Sequence, residues 1–397
     1  PGSIDLGVVA AAFAISLFTA GLGFLLHELA HKVVAVRFGQ IAGFRADYNM
    51  LLLTILGALV GFLIAAFQFR PLCGDRGLLP AWLFLKQTRF RDSPSLFWLK
   101  CDDRAFAIAA WSGVVLATLA LAGVSEQLGL VVSMLIWAAI WALYLSFVNI
   151  GQTFYSFGWE SILCEAGFLA IFLGDAHTAP PALVIWLLCW LLFRVMFGAG
   201  MIKMRGHPCW CDNTCLYYHY ETQPMPNPLS WHFHHAPKWL HRMGVRFNHL
   251  AELVAPFGVF LAAPVCWIAG GIMVVFQIIL ILSGNLSFLN YLTLVLCIPA
   301  FTDGFFAMFV PVQTPATHSA PLVLDGLVIA VTALVIALSY RPIINMLSSK
   351  QVMNRTFDPL HLVGTYGAFG SVTRKRHEVI LEGTTESTIT SDTQWHE

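Results

Sequence analysis

The chain is predicted to be an all-α polytopic membrane protein with about 9–10 transmembrane helices and a short, truncated C-terminal β segment. Three observations lead there. Of 397 residues, 58% are hydrophobic and 11% charged, whereas soluble domains carry about a quarter charged residues. Apolar runs recur at close to the roughly 20 residues needed to cross about 30 Å of hydrocarbon. After Tyr340 the sequence turns polar and rich in turn residues.

The expected spans, in order, are 7–26, 50–67, 105–123, 129–148, 160–174, 180–200, 247–264, 266–283, 287–310 and 321–340, with 160–174 short and 287–310 open to a break. The opening PGSIDLG has no start methionine and leads straight into an apolar run, so it reads as a fragment or a cloning scar. Between Arg70 and Arg104 the mixture of Pro, Trp, Phe and basic residues suits a partly helical stretch at the membrane interface. The segment from Lys203 to Arg246 is rich in Trp and Tyr, rings favoured at the headgroup belt. In the tail, RKRHEVILEG alternates as a strand does and is expected to open a small extramembrane β unit that ends early. These runs divide the chain into 1–67, an interfacial region 68–104, a helical core 105–340 with an extramembrane loop 204–246, and the β segment 341–397.

Formal net charge is zero, which provides no basic field for nucleic acid. Basic residues fall in loops on alternating sides of the expected spans, so charge placement gives no orientation. Arg194 and Lys203 sit nine residues apart on an otherwise apolar helix. Charges at such depth need partners. Glu160, Glu165 and Glu252 are the expected ones, forming a buried ionic network. His219 beside Glu221 could relay a proton, although adjacent residues do not share a helix face. ETQPMPNP cannot continue a helix and is expected to form an ordered, extended loop. Cys209, Cys211 and Cys215 leave three readings open: a disulfide or redox pair Cys209–Cys215, free thiols, or a metal site completed by His207 and His219.

HELAHK at 27–32 puts His27 and His31 on one helical face with Glu28 beside them. With the flanking GFLLHELAHKVVAVRFG it resembles the N-terminal part of site-2 protease-like membrane metalloproteases. That resemblance implies zinc on His27 and His31, Glu28 as base, and a third ligand from a later LDG element, here Asp325. The preferred reading assigns no catalytic residue, metal or cofactor, with zinc as the alternative.

Longer matches run from about Pro71 to the end: GDRGLLPAWLFL (74–85), SFVNIGQTFYSFGWESILCEAGFLAIFLG (146–174), WLLFRVMFGAGMIKMRG (190–206), YHYETQPMPNPLSW (218–231), LSGNLSFLNYLT (282–293) and FDPLHLVGTYGAFGSVTRKRHEVILEGT (357–384). On these the chain resembles the lipase maturation factor family, with Gly364 where an asparagine is usual. The resemblance implies a membrane factor, not obviously catalytic, that assists folding of secreted lipases. In eukaryotes it implies the endoplasmic reticulum membrane; in a prokaryote, the plasma or inner membrane. Expected partners are membrane lipid and lipase clients. The residues expected to form its structural or functional network are Glu160, Glu165, Arg194, Lys203, Trp210, His219, Tyr220, Glu221, Gln223, Asn227, Trp231, Asn285 and Asn290. Because residues 1–67 resemble a different family, a fusion or fragment is expected. A looser likeness to vitamin-K-dependent carboxylases and quinone-handling redox proteins implies a third alternative, a cofactor near Lys203, His219 and Glu221 or cycling of Cys209 and Cys215.

Overall fold

The computed structural model describes residues 57–309, 318–375, 383–385, 389–391 and 393–395. His27, Glu28 and His31, the expected span 7–26 and most of the expected strand RKRHEVILEG lie outside them. In chain order the elements begin with α1 (Gly57–Cys73), α2 (Ala81–Gln87), α3 (Asp103–Leu121), α4 (Leu130–Ile150), α5 (Gly158–Ala170) and α6 (Ala182–Arg205). They continue with α7 (Leu216–Thr222), α8 (Ser230–His234), α9 (Lys238–His249), a π turn (Leu250–Val254) and α10 (Ala255–Gly258). Next come α11 (Val265–Ser283), α12 (Leu289–Cys297), α13 (Asp303–Ala307) and α14 (Leu322–Leu347), then β1 (Arg355–Thr356) paired antiparallel with β2 (Gly364–Thr365).

Five helices, α3, α4, α6, α11 and α14, are long and apolar enough to cross a membrane. They coincide with the expected spans 105–123, 129–148, 180–200, 266–283 and 321–340. Of the expected span 50–67 the described part lies in α1, a shorter apolar helix, and three further expected spans fold differently. Where 160–174 was expected, α5 is 13 residues long and buried along nearly its whole length, so its polar Glu160 and Glu165 meet protein in place of lipid. At 287–310 the helix tightens after Cys297 into a 3-10 turn containing Pro299, which has no N–H to continue the ladder. The span expected at 247–264 is a correction: its helix begins earlier, at Lys238, passes through the π turn, and reaches Pro256 near the start of α10. A π turn and a proline both interrupt regular i→i+4 bonding.

Contacts at the helix ends sort the loops onto two sides. On one, Asn149 at the end of α4 donates to the carbonyls of Pro94 (2.7 Å) and Pro359 (3.0 Å). Arg205 at the end of α6 donates to Met346 O near the end of α14 (2.6 Å). Asn285, after α11, donates its backbone N–H to Met225 O (3.0 Å). On the far side Ala176 meets Glu126, His318 pairs with Thr178, and Trp267 at the start of α11 donates to Thr302 (3.1 Å). The helices α4, α6, α11 and α14 therefore all run from the far side to the loop-rich side. The shorter, interior α5 and α12, together with α9–α10, bring the chain back.

Local chemistry fits this path. Asp102 caps α3, accepting from Ala105 N at 2.7 Å. That bond, together with the nearby Lys100, holds its carboxyl below the ordinary aspartate range. A cluster of Phe69, Phe97, Phe106 and Phe147, with ring centroids about 5 Å apart, welds the interfacial stretch to α3 and α4. At Gly206 a Cβ would overlap the Gly370 carbonyl, and His207 N donates to that same oxygen (2.8 Å). Only glycine allows the tail to lie this close to the end of α6.

Candidate functional site

The polar residues singled out in the sequence converge on the loop-rich side, in a cap built on two buried ion pairs. Deeper in the bundle, Arg194 on α6 pairs with both oxygens of Glu165 on α5, and both side chains are 1% exposed. The guanidinium also donates to Gly364 O (2.7 Å), while Tyr366 Oη (2.8 Å) and Gly364 N (3.3 Å) donate to Glu165 Oε2. Two core helices thus grip the C-terminal segment at β2. Nine residues, about two and a half turns, further along α6, Lys203 Nζ meets Glu252 Oε1 at 2.6 Å, with the Trp210 ring centroid 4.9 Å away. Glu160 does not join either cation. It accepts from Tyr144 Oη and from Trp159 Nε1 (3.0 Å), so the expected network is two separate pairs plus a neutral-donor site.

The cap closes over Lys203. Cys209 and Cys215 are disulfide-bonded, and with Trp210, Val245 and Val372 they form a small apolar cluster apart from the main core. Cys211 is a free, exposed thiol. Trp210 Nε1 donates to Phe369 O (2.8 Å). His219 is buried against the Phe369 ring, and burial, reinforced by Lys203, pushes its imidazole down to about 4. Tyr220 packs between Phe233 and His241. Glu221 turns outward to His234 (3.4 Å) and away from His219. Glu221 is therefore half exposed on the outside, while Lys203 and His219 are buried.

After α7 the helix stops, as expected from the prolines: Gln223 is extended, bends run to Met225 and a turn forms at Pro228 and Leu229, and the loop is pinned to the end of α11. Gln223 Nε2 donates to Ser283 O (2.9 Å) and Ser230 Oγ (3.0 Å). Asn227 Nδ2 donates to the carbonyls of Ile281, Leu282 and Gly284 at 3.0–3.2 Å, while its Oδ1 accepts from Leu229 N and Ser230 N. Ser230 Oγ donates to Ser283 O (2.7 Å). Asn290 is buried in α12, and Trp231 lies exposed on the surface against His235.

Sequence reasoning missed Tyr144, Ser230 and the Asn149–His361–Ser161 chain, in which His361 Nε2 is 3.1 Å from Asn149 Oδ1 and Nδ1 is 3.2 Å from Ser161 Oγ. Ser230 lies in the turn that Asn227 caps, and an Asn ahead of a helix is a capping signal legible in the sequence. The others are joined only by the fold, 200 residues apart or more in the case of His361. Asp325 stands exposed in the first turn of α14. Among the described residues no group of three His, Cys, Asp or Glu side chains could hold a metal ion. Chemically, the cap is a polar platform: its buried cation Lys203 is matched by Glu252, while its outer surface carries Trp231, Trp239 and Met225 exposed.

Residues 48–308 match the family described as Lipase maturation factor transmembrane domain. The chain is 41% identical over 373 residues to Lipase maturation factor 1 of Homo sapiens, covering 85% of this chain and 66% of the relative. It is 42% identical over 374 residues to the Bos taurus protein of the same name, covering 85% and 67%. To Lipase maturation factor 2 of Xenopus laevis it is 34% identical over 273 residues, 63% of this chain and 38% of the relative. It thus spans about two thirds of the length of the first two relatives. No solved structure matches it. With a family match across more than half its length, and relatives of that name more than 40% identical over 85% of it, the chain belongs to the lipase maturation factor family.

Proposed function

We propose that the chain is the membrane-embedded part of a factor that assists the folding and maturation of secreted lipases. The observation carrying this reading is the identity of about two residues in five, sustained over 85% of the chain, with proteins named for lipase maturation. A disulfide-closed cap clamped rigidly onto a helical bundle fits a platform for folding chains better than a reaction chamber. The disulfide also favours an oxidising compartment, and we place the protein in the endoplasmic reticulum membrane, cap toward the lumen.

The test is complementation. Cells lacking their own maturation factor would receive the chain together with lipoprotein lipase, and secreted lipase activity would be measured against total lipase protein. Recovery of specific activity supports the reading. A correctly inserted chain that restores none refutes it for this segment. The His27–Glu28–His31 motif supports a second reading, zinc-dependent cleavage within the membrane. Bound zinc in the purified protein, and loss of activity in Glu28→Gln, would favour that alternative. Equal rescue by wild type and Glu28→Gln would remove it.

A further inference from the structure

The helix α9 presents a surface that neither the ion pairs nor the cap explains. Its inner face is His241, Val245 and Asn248, all buried. Directly opposite, on the 3.6-residue repeat, lie Trp239 (63% exposed), Met243 (56%) and Leu250 (39%). Along one flank of that apolar stripe stand Lys238, Arg242 and Arg246, all exposed. From Thr222 to Ala251 the sequence has no acidic residue. None of the three cations forms an ion pair with a described residue; Arg242 Nε instead donates to Tyr217 Oη (2.8 Å), and Lys238 lies over the Tyr217 ring.

The stripe does not stop at the end of α9. It continues through the π turn to Val254 (60% exposed) and Phe257 (51%) on the segment that returns toward the far side. There Gly258 reaches Ala269 and Val265 at the start of α11. The lower half of one continuous face therefore runs at the depth of the flanking hydrophobic helices, where lipid covers it. Its upper half, with a tryptophan and three unpaired cations, stands at the level of the headgroups.

We infer that this face is a binding site for anionic phospholipid: acyl chains lie along Met243, Leu250, Val254 and Phe257, and the headgroup phosphate sits against Arg242, Arg246 and Lys238. Charge complementarity selects an anion, and the unbroken apolar stripe selects a lipid over a soluble acidic peptide. The inference does not depend on the proposed maturation role.

Native mass spectrometry of the full chain tests it. Purified protein in mild detergent would be mixed with equal amounts of dioleoyl phosphatidylserine and dioleoyl phosphatidylcholine, and retained lipids counted. Wild type should retain the anionic lipid preferentially. Each of Lys238→Gln, Arg242→Gln and Arg246→Gln should lower that preference about fivefold, as expected for roughly 1 kcal/mol per basic residue. The triple variant should show no preference, and added salt should weaken that of wild type. Arg246→Gln alone serves if the triple variant fails to fold, because no described side chain depends on it. An unchanged preference in a folded triple variant, or in Arg246→Gln, overturns the assignment. So does displacement of the lipid by an acidic peptide, which would make the face a protein-docking surface.

Discussion

Replacing Arg194 by Met removes the centre of the deeper ion pair while preserving a long apolar stem. The lost interactions are the paired bonds to Glu165 and the 2.7 Å bond to Gly364 O, all at 1% exposure. Removing one partner of a buried pair costs about 3–5 kcal/mol, because the other charge remains desolvated. Here the lower end, about 3 kcal/mol, is expected, because Glu165 keeps the donors Tyr366 Oη and Gly364 N and gains relief by taking up a proton. Against a typical total stability of about 5–15 kcal/mol this is a large loss. It should be concentrated where the pair holds the tail. Unfolding of the purified protein, followed by tryptophan fluorescence, should report the loss, and limited proteolysis should open new cleavage within residues 351–375. The double variant Glu165→Gln/Arg194→Met no longer buries an unpaired charge and should recover at least half of the stability. If the single variant stays within about 1 kcal/mol of wild type, or the double is no more stable than the single, the clamp does not hold the tail as argued.

Three further perturbations follow from the same geometry. Asn227→Ala removes the bonds from Nδ2 to three carbonyls and the acceptor for two backbone N–H groups; a loss of roughly 2 kcal/mol is expected, and hydrogen exchange should rise in residues 223–230 while the core stays protected. Cys209→Ser opens a loop closed across six residues and should cost on the order of 2 kcal/mol; a reductant should bring wild type down to the variant, and unequal stabilities under reduction would contradict this. His219, held near 4 by burial and by Lys203, binds its proton more weakly folded than unfolded. Its contribution is complete above about 6.5 and is lost as pH falls toward 4, by roughly 3 kcal/mol in the limit. His219→Gln should flatten the stability profile in that window alone, and an unchanged slope would count against the buried neutral imidazole.

Much of the architecture could be read before any coordinates. Run length and composition located α3, α4, α6, α11 and α14, because a helix exposed to lipid must announce itself by twenty apolar residues. The same logic named the ion-pair members: a lone Arg194 or Lys203 in an apolar helix requires a carboxylate, and Glu165 and Glu252 were among the three on offer. Proline chemistry marked the ordered, non-helical loop after α7. What composition could not reveal is which carboxylate serves which cation. That Glu160 belongs to Tyr144 and Trp159, that Glu221 faces His234, and that Tyr366 reaches back to Glu165 depend on helix rotation and on contacts across as many as 201 residues.

The sequence by itself determined that this chain is a helical membrane protein, where its five long apolar helices lie, and that its buried charges must be paired. Those conclusions follow from transfer free energies, which are local properties of the residues. The tertiary structure decided the pairing, the disulfide-closed cap, and the outward turn of the cationic, tryptophan-bearing face of α9. Each of these is a matter of which surfaces meet, and that is fixed only when all the helices pack together.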